Sequence, residues 1–100
     1  MNTGELRELD AKVAEKLFGE EWTHMTRDYV WSDIPEYSTD IKAAWLVVEK
    51  LREEYEPIKI IVWDKAVHVF IGMDERVFVD APTAPEAICL AALKAVDAGR

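Results

Sequence analysis

The sequence predicts an α+β sandwich, in which an antiparallel sheet of three or four strands is covered by three helices. Two segments with helical apolar spacing precede a set of short β-branched runs, and an alanine-rich segment with helical spacing follows them. The links between the β-branched runs are so short that neighbouring strands have to be antiparallel. These observations together predict helices that pack on the faces of an antiparallel sheet.

The first predicted helix runs from about Gly4 to Phe18, with Thr3 as its N-cap and Gly19 as its stop. Its apolar positions recur at spacings of three and four residues and are Leu6, Leu9, Val13 and Leu17. Charged residues lie between them, which is typical of a helix with one buried face.

The second predicted helix follows Pro35, with Ser38 as its cap, and continues to about Tyr55 before Pro57 prevents further helix. Its apolar stripe consists of Ile41, Ala44, Trp45, Val48 and Leu51. Asp40 adds a negative charge near the positive end of the helix dipole.

Three β-branched runs then predict a meander, because residues at alternate positions are apolar and the connections are tight. The runs are Ile58–Trp63, Val67–Ile71 and 76–80. Apolar residues occur on both faces of these strands, so both faces need cover from helices or from a second subunit. This pattern also predicts a homodimer.

The last predicted helix opens at Thr83, where Thr83 and Glu86 have the spacing of a capping box, and ends near Gly99. Its alanine-rich stripe permits close approach to a sheet or another helix. Part of the preceding unassigned stretch, from about Thr23 to Trp31, could add a fourth strand, since long structureless stretches are rare in compact domains.

Charge and length restrict the function classes. One hundred residues predict a single domain over residues 1–100, and 20 acidic residues against 12 lysines and arginines give a net charge of −8. This charge opposes direct binding to nucleic acid or to anionic membranes.

The sequence begins without a secretory signal, contains no apolar stretch of membrane-spanning length, and predicts a cytoplasmic protein. One cysteine and two histidines predict neither a disulfide nor a zinc site, and no cofactor motif is present.

Acidic and aromatic residues concentrate between Glu20 and Asp40, where six acids accompany one arginine. Aromatic side chains among charges are common in partner surfaces, although the same residues could also cap the sheet while the acids solvate a loop. The predicted interaction surface consists of Trp22, Asp28, Tyr29, Trp31, Asp33, Glu36 and Tyr37.

Three stretches resemble the family of phage and prophage proteins whose domain is called the phage ABA sandwich. They are Leu9–Gly19 (LDAKVAEKLFG), Tyr37–Leu51 (YSTDIKAAWLVVEKL) and Thr83–Val96 (TAPEAICLAALKAV), and they occur in the order found in the family. The resemblance implies a helix-sheet-helix layering and a viral or prophage origin. It carries over no catalytic residue.

Two hypotheses of function follow. The first is a non-enzymatic phage or prophage accessory protein that contacts a protein of the host or the phage. The alternative is a small-molecule-binding or hydrolytic domain with a cleft near His68, Asp64 and Asp80, although turn chemistry also explains aspartates at strand ends. Cys89 lies between apolar residues of a predicted helix, which indicates a buried structural thiol.

Overall fold

A computed structural model of the chain describes residues 2–18, 35–72 and 77–98. These residues form α1 (Thr3–Phe18), α2 (Ile41–Leu51), β1 (Ile58–Val62), β2 (Val67–Ile71), β3 (Val77–Ala81) and α3 (Ala84–Ala98), in chain order. The predicted α+β class is confirmed, as are the three helices and the three-stranded meander. The possible fourth strand between Thr23 and Trp31 lies outside the described residues.

The sheet has the strand order β1-β2-β3, with antiparallel pairing throughout. Its register places Ile60 opposite Val69, which in turn lies opposite Val79. Because side chains alternate along a strand, each face of the sheet has a distinct composition. The helix face carries Ile58, Ile60, Val62, Val67, Val69, Ile71, Val77, Val79 and Ala81, and the aromatic face carries Lys59, Ile61, His68, Phe70, Phe78 and Asp80.

The helix α3 occupies the centre of the packing. It contacts β2 and β3 on one side and both α1 and α2 on the other, and α1 also contacts α2. The buried side chains of α3 are mostly small and include Ala87, Ala91, Ala92 and Ala95. Such side chains allow neighbouring elements to approach the helix backbone, so the larger apolar groups of the core, apart from Ile88, come mostly from the surrounding elements.

Helices cover the helix face of the sheet. On this face Val69 and Ile71 are almost fully buried, in the same core cluster as residues of α3. On the aromatic face, the residues are half-buried or exposed. The expectation that helices cover both faces is therefore met on the helix face within the described part of the chain.

A buried carboxylate connects α1 to the segment that precedes α2. Asp10 is fully buried, and its two oxygens accept hydrogen bonds from the Ser38 amide and from Arg7 Nη1, each at 2.7 Å. The Ser38 hydroxyl donates to the carbonyl of Leu6 at 3.1 Å. These bonds satisfy the polar groups that the contact removes from water.

The start of α2 differs from the prediction that Ser38 caps it. Asp40 is the N-cap, and its side chain accepts from the Lys42 amide at 3.0 Å. Ser38 cannot serve this role because its amide and hydroxyl are both directed to α1. The helix also ends at Leu51 rather than near Tyr55, and residues 52–54 form turns.

We expect Ala91→Leu to lower the free energy of unfolding by about 2 kcal/mol or more, because added methylenes in a close-packed core force neighbours apart. Ala91 is fully buried. The matched control is Ala98→Leu, at the exposed end of the same helix. Urea unfolding followed by circular dichroism measures both. Equal stability of the two variants would contradict the central placement of α3.

We expect Asp10→Ala to lower the free energy of unfolding by about 3 kcal/mol, because the Ser38 amide loses its buried acceptor and the ion pair with Arg7 is lost. Asp10→Asn keeps an acceptor and removes the charge, so its expected cost is smaller, about 1 kcal/mol. The control is Glu49→Ala, which breaks the exposed pair with Arg52 and should change stability by less than about 0.5 kcal/mol. Chemical unfolding ranks the three variants, and a cost for Asp10→Ala no larger than that of the control would show that the buried network is not stabilising.

Candidate interaction surfaces

The predicted surface of acidic and aromatic residues is only partly described. Trp22, Asp28, Tyr29, Trp31 and Asp33 lie outside the described residues, and Glu36 is exposed. The prediction that Tyr37 belongs to this surface was wrong, because Tyr37 is only 3% exposed. Its ring stacks on that of Phe18, with centroids 5.3 Å apart and an interplanar angle of 10°. Tyr37 therefore stabilises the junction between α1 and α2, where a partner does not reach its ring.

Of the three residues of the alternative cleft, the fold brings two together. His68 and Asp80 are register partners on neighbouring strands of the aromatic face, whereas Asp64 lies exposed in the β1–β2 turn. His68 Nδ1 accepts a hydrogen bond from Trp63 Nε1 at 3.1 Å. The edge of the His68 ring also meets Phe78, with ring centroids 5.3 Å apart. His68 is thus held in an aromatic cluster.

Two of the cavities bounded by described residues are large, and neither is lined by His68, Asp64 or Asp80. The first, of about 300 Å³, lies among α1, the end of α2 and α3, with Lys16, Leu17, Lys50, Glu53, Glu54, Tyr55 and Val96 as its lining. The second, of about 600 Å³, lies between α2 and the start of β1, with Trp45, Val48, Arg52, Glu56, Pro57 and Ile58 as its lining. The second cavity is an open groove beside the edge of the sheet.

The thiol of Cys89 is fully buried in the middle of α3. Burial raises the pKa of this thiol far above its ordinary value, and the negative charges of Asp10 and Glu86 raise it further. A thiol that stays protonated is a poor nucleophile and a poor metal ligand. The predicted burial of Cys89 is confirmed.

Large apolar side chains are exposed in several places on the described surface. The most exposed are Ile41, Trp45, Leu46, Val62, Trp63 and Phe78, and their exposed fractions range from 41% to 73%. Ile41 and Trp45 were expected in the buried stripe of α2, but Ala43 and Val47 are buried instead. The sequence did contain a sign of this exposure. Apolar residues surround most of the circumference of α2, so the core cannot cover all of them.

The aromatic face combines these exposed rings with charge. Phe70 and Phe78 lie opposite each other across β2 and β3, with ring centroids 4.9 Å apart. Lys59 Nζ lies 4.7 Å from the centroid of the Phe70 ring, which is a cation–π distance. Exposed Asp80 and Asp64 place carboxylates near the aromatic groups.

Two further findings apply to residues 2–18, 35–72 and 77–98 alone. No group of three or more histidine, cysteine, aspartate or glutamate side chains is arranged to hold a metal ion. No helix in these ranges has the length and apolar character needed to cross a membrane.

The fold and its surfaces define the class as a small α+β sandwich with large exposed apolar side chains. The model of the phage ABA sandwich domain matches residues 11–93, and the chain belongs to this family. A phage protein from Bacillus cereus ATCC 14579, known from a 2.0 Å crystal structure, is similar in fold, with a TM-score of 0.66. The two sequences are 36% identical over 93% of each chain. No curated protein sequence matches the chain.

We expect wild type to lose stability relative to Cys89→Ala as the pH rises above 9.0, the ordinary pKa of the thiol. Below that pH the thiol is protonated in both folded and unfolded chains and contributes no pH dependence. Above it the unfolded thiol ionises while the folded one, whose pKa is raised, does not, so unfolding becomes easier by about 1.4 kcal/mol per pH unit. Urea unfolding between about pH 8 and about pH 10 measures this difference. Parallel stability curves for the two proteins would contradict the raised pKa.

Proposed function

We propose that the protein is a phage or prophage accessory protein that acts in the host cytoplasm through contact with another protein, without catalysing a reaction. The observation that carries this proposal is the exposure of large apolar side chains, including two half-exposed tryptophans, Trp45 and Trp63. Tryptophan is among the residues that contribute most to protein–protein binding. Exposed apolar groups of this size raise the free energy of the free protein in water, and a partner would relieve that cost.

Charge favours a basic partner. The chain has a net charge of −8, and the stretch from Glu20 to Asp40 contains six of its acids. In the described residues, the exposed carboxylates of Asp64 and Asp80 accompany Trp63 and Phe78. An acidic surface with exposed rings suits a partner rich in lysine and arginine, whose cations interact with both carboxylates and aromatic faces.

The test begins with a tagged chain expressed in a bacterial host, recovered at low salt, and mass spectrometry of the proteins that accompany it. We expect one enriched partner, whose affinity for the purified chain falls at high salt because screening weakens charge attraction. The triple charge reversal Asp28→Lys, Asp33→Lys and Glu36→Lys should weaken this binding at least tenfold. Trp63→Ala should weaken it as well, because it removes an exposed ring.

The matched control is a second triple reversal, Glu8→Lys, Glu15→Lys and Glu54→Lys, at exposed sites elsewhere on the described surface. It changes the net charge by the same amount, so a local contact predicts a much smaller loss of affinity. Recovery of the chain alone, or a partner whose binding is insensitive to all these changes and to salt, would contradict the proposed function.

A further inference from the structure

The two edges of the sheet differ in how their outer backbone groups are occupied. At the β3 edge, Lys94 Nζ donates a hydrogen bond to the carbonyl of Phe78 at 3.2 Å. Asp80 adds an exposed carboxylate to the same strand. A lysine and a charged side chain at a sheet edge oppose pairing with another strand. The β3 edge is therefore protected.

At the β1 edge, three residues direct their backbone groups away from the sheet. The Trp63 amide donates to Ala66, and the Gly72 amide donates to Pro57, which marks the hydrogen-bonded pairs at the two ends of the β1–β2 ladder. Because hydrogen-bonded and non-bonded pairs alternate along an antiparallel ladder, the amides and carbonyls of Ile58, Ile60 and Val62 face outward. No hydrogen bond from the described residues reaches these groups.

The side chains of the same three residues also lack full cover. They lie on the helix face, where α3 packs on β2 and β3. Val62 is 73% exposed, and Ile58 and Ile60 are half-buried. The groove of about 600 Å³ continues this apolar surface from Ile58 to Trp45 on α2. Ile41, one helical turn before Trp45, is exposed on the same side of α2.

We infer that the β1 edge pairs with β1 of a second copy of the chain, so that two sheets join into one sheet of six antiparallel strands around a two-fold axis. Antiparallel pairing of a strand with itself satisfies the two-fold symmetry that most homodimers have. With Ile60 at the axis, Ile58 lies opposite Val62 of the partner subunit, and every pair on the helix face is apolar. The outward amides and carbonyls then gain partners.

Charge supports a second copy as the occupant of this surface. Two chains of net charge −8 repel each other, so they can associate only where the acids are sparse. The lining of the groove holds one base and one acid, Arg52 and Glu56, and Arg52 also pairs with Glu49 at 3.2 Å. Charges at this surface are therefore few and of both signs, so the repulsion between two copies is weaker here than across the acidic parts of the chain, and a basic partner would find little attraction.

The available apolar area is somewhat more than half of what each partner buries in a standard interface. Ile41, Trp45, Pro57, Val62 and the half-buried isoleucines of β1 together expose on the order of 500 Å² of side-chain surface, against about 800 Å² per partner in a standard interface. In the inferred dimer, the backbone of β1 and the polar rim of the groove would have to supply the remainder. The inference concerns self-association and does not depend on the partner proposed above.

Sedimentation equilibrium of the full chain tests the inference at concentrations from about 1 µM to several hundred micromolar, which covers both strong and weak self-association. We expect twice the mass of the 11.5 kDa chain at the higher concentrations. Val62→Lys places a charge in the interface and should raise the dissociation constant at least tenfold. Ile60→Pro should do the same, because it removes an outward amide and leaves the β1–β2 ladder intact.

The matched control is Leu46→Lys, which also replaces a side chain more than half exposed but lies on the opposite flank of α2. It should leave the dissociation constant unchanged. Lack of reaction of Cys89 with a thiol reagent reports that each variant is folded. A wild-type mass of one chain at several hundred micromolar overturns the inference, and so does a dimer that Val62→Lys and Ile60→Pro leave intact.

Discussion

The fold depends on a helix that is buried on two sides. The sheet packs on one side of α3 and the pair α1–α2 on the other, so most of the α3 side chains between these layers are small, with Ile88 as the large exception. Four alanines of α3 are at most 1% exposed, and Cys89 fills a similar volume among them. The bulk of the core comes from the neighbours of α3, among which Leu51, Val13 and Ile71 are almost fully buried. A chain with larger residues in α3 would have to separate the layers and lose contacts on both sides.

This central position explains the raised pKa of the thiol. Cys89 lies where water is excluded, and the carboxylates of Asp10 and Glu86 are near enough to oppose a thiolate. The carboxylate of Asp10 in turn tolerates burial because Arg7 and the Ser38 amide compensate it. One buried polar network thus joins α1 to the chain that enters α2, and the charge of Asp10 adds to the effect of burial in raising the pKa of the thiol. The stacking of Tyr37 on Phe18 is a consequence of the same junction, since Tyr37 directly precedes the anchored Ser38.

Local patterns in the sequence predict most of the described elements. The bounds of β2 are those of the run from Val67 to Ile71, because alternation and short links leave little freedom in a meander. The predicted N-cap of α2 was wrong. Ser38 and Asp40 are both good caps, and the choice depends on the distant Asp10, which binds the Ser38 amide and leaves Asp40 to cap the helix. The exposure of Trp45 was missed for a similar reason. Helical spacing identifies an apolar stripe, but the direction of the stripe relative to the core depends on where α1 and α3 lie.

The functional surfaces follow from how the sheet is covered. Because α3 packs on β2 and β3, the apolar residues of the helix face become exposed toward β1, and the groove beside α2 is a consequence of that offset. The aromatic face has a different composition, with rings supported by His68 and carboxylates nearby. An edge with few acids and a face with exposed carboxylates favour different partners, since like charges repel and opposite charges attract. Self-association at the β1 edge would therefore leave the aromatic face free, and a dimer would present two such faces to a basic partner.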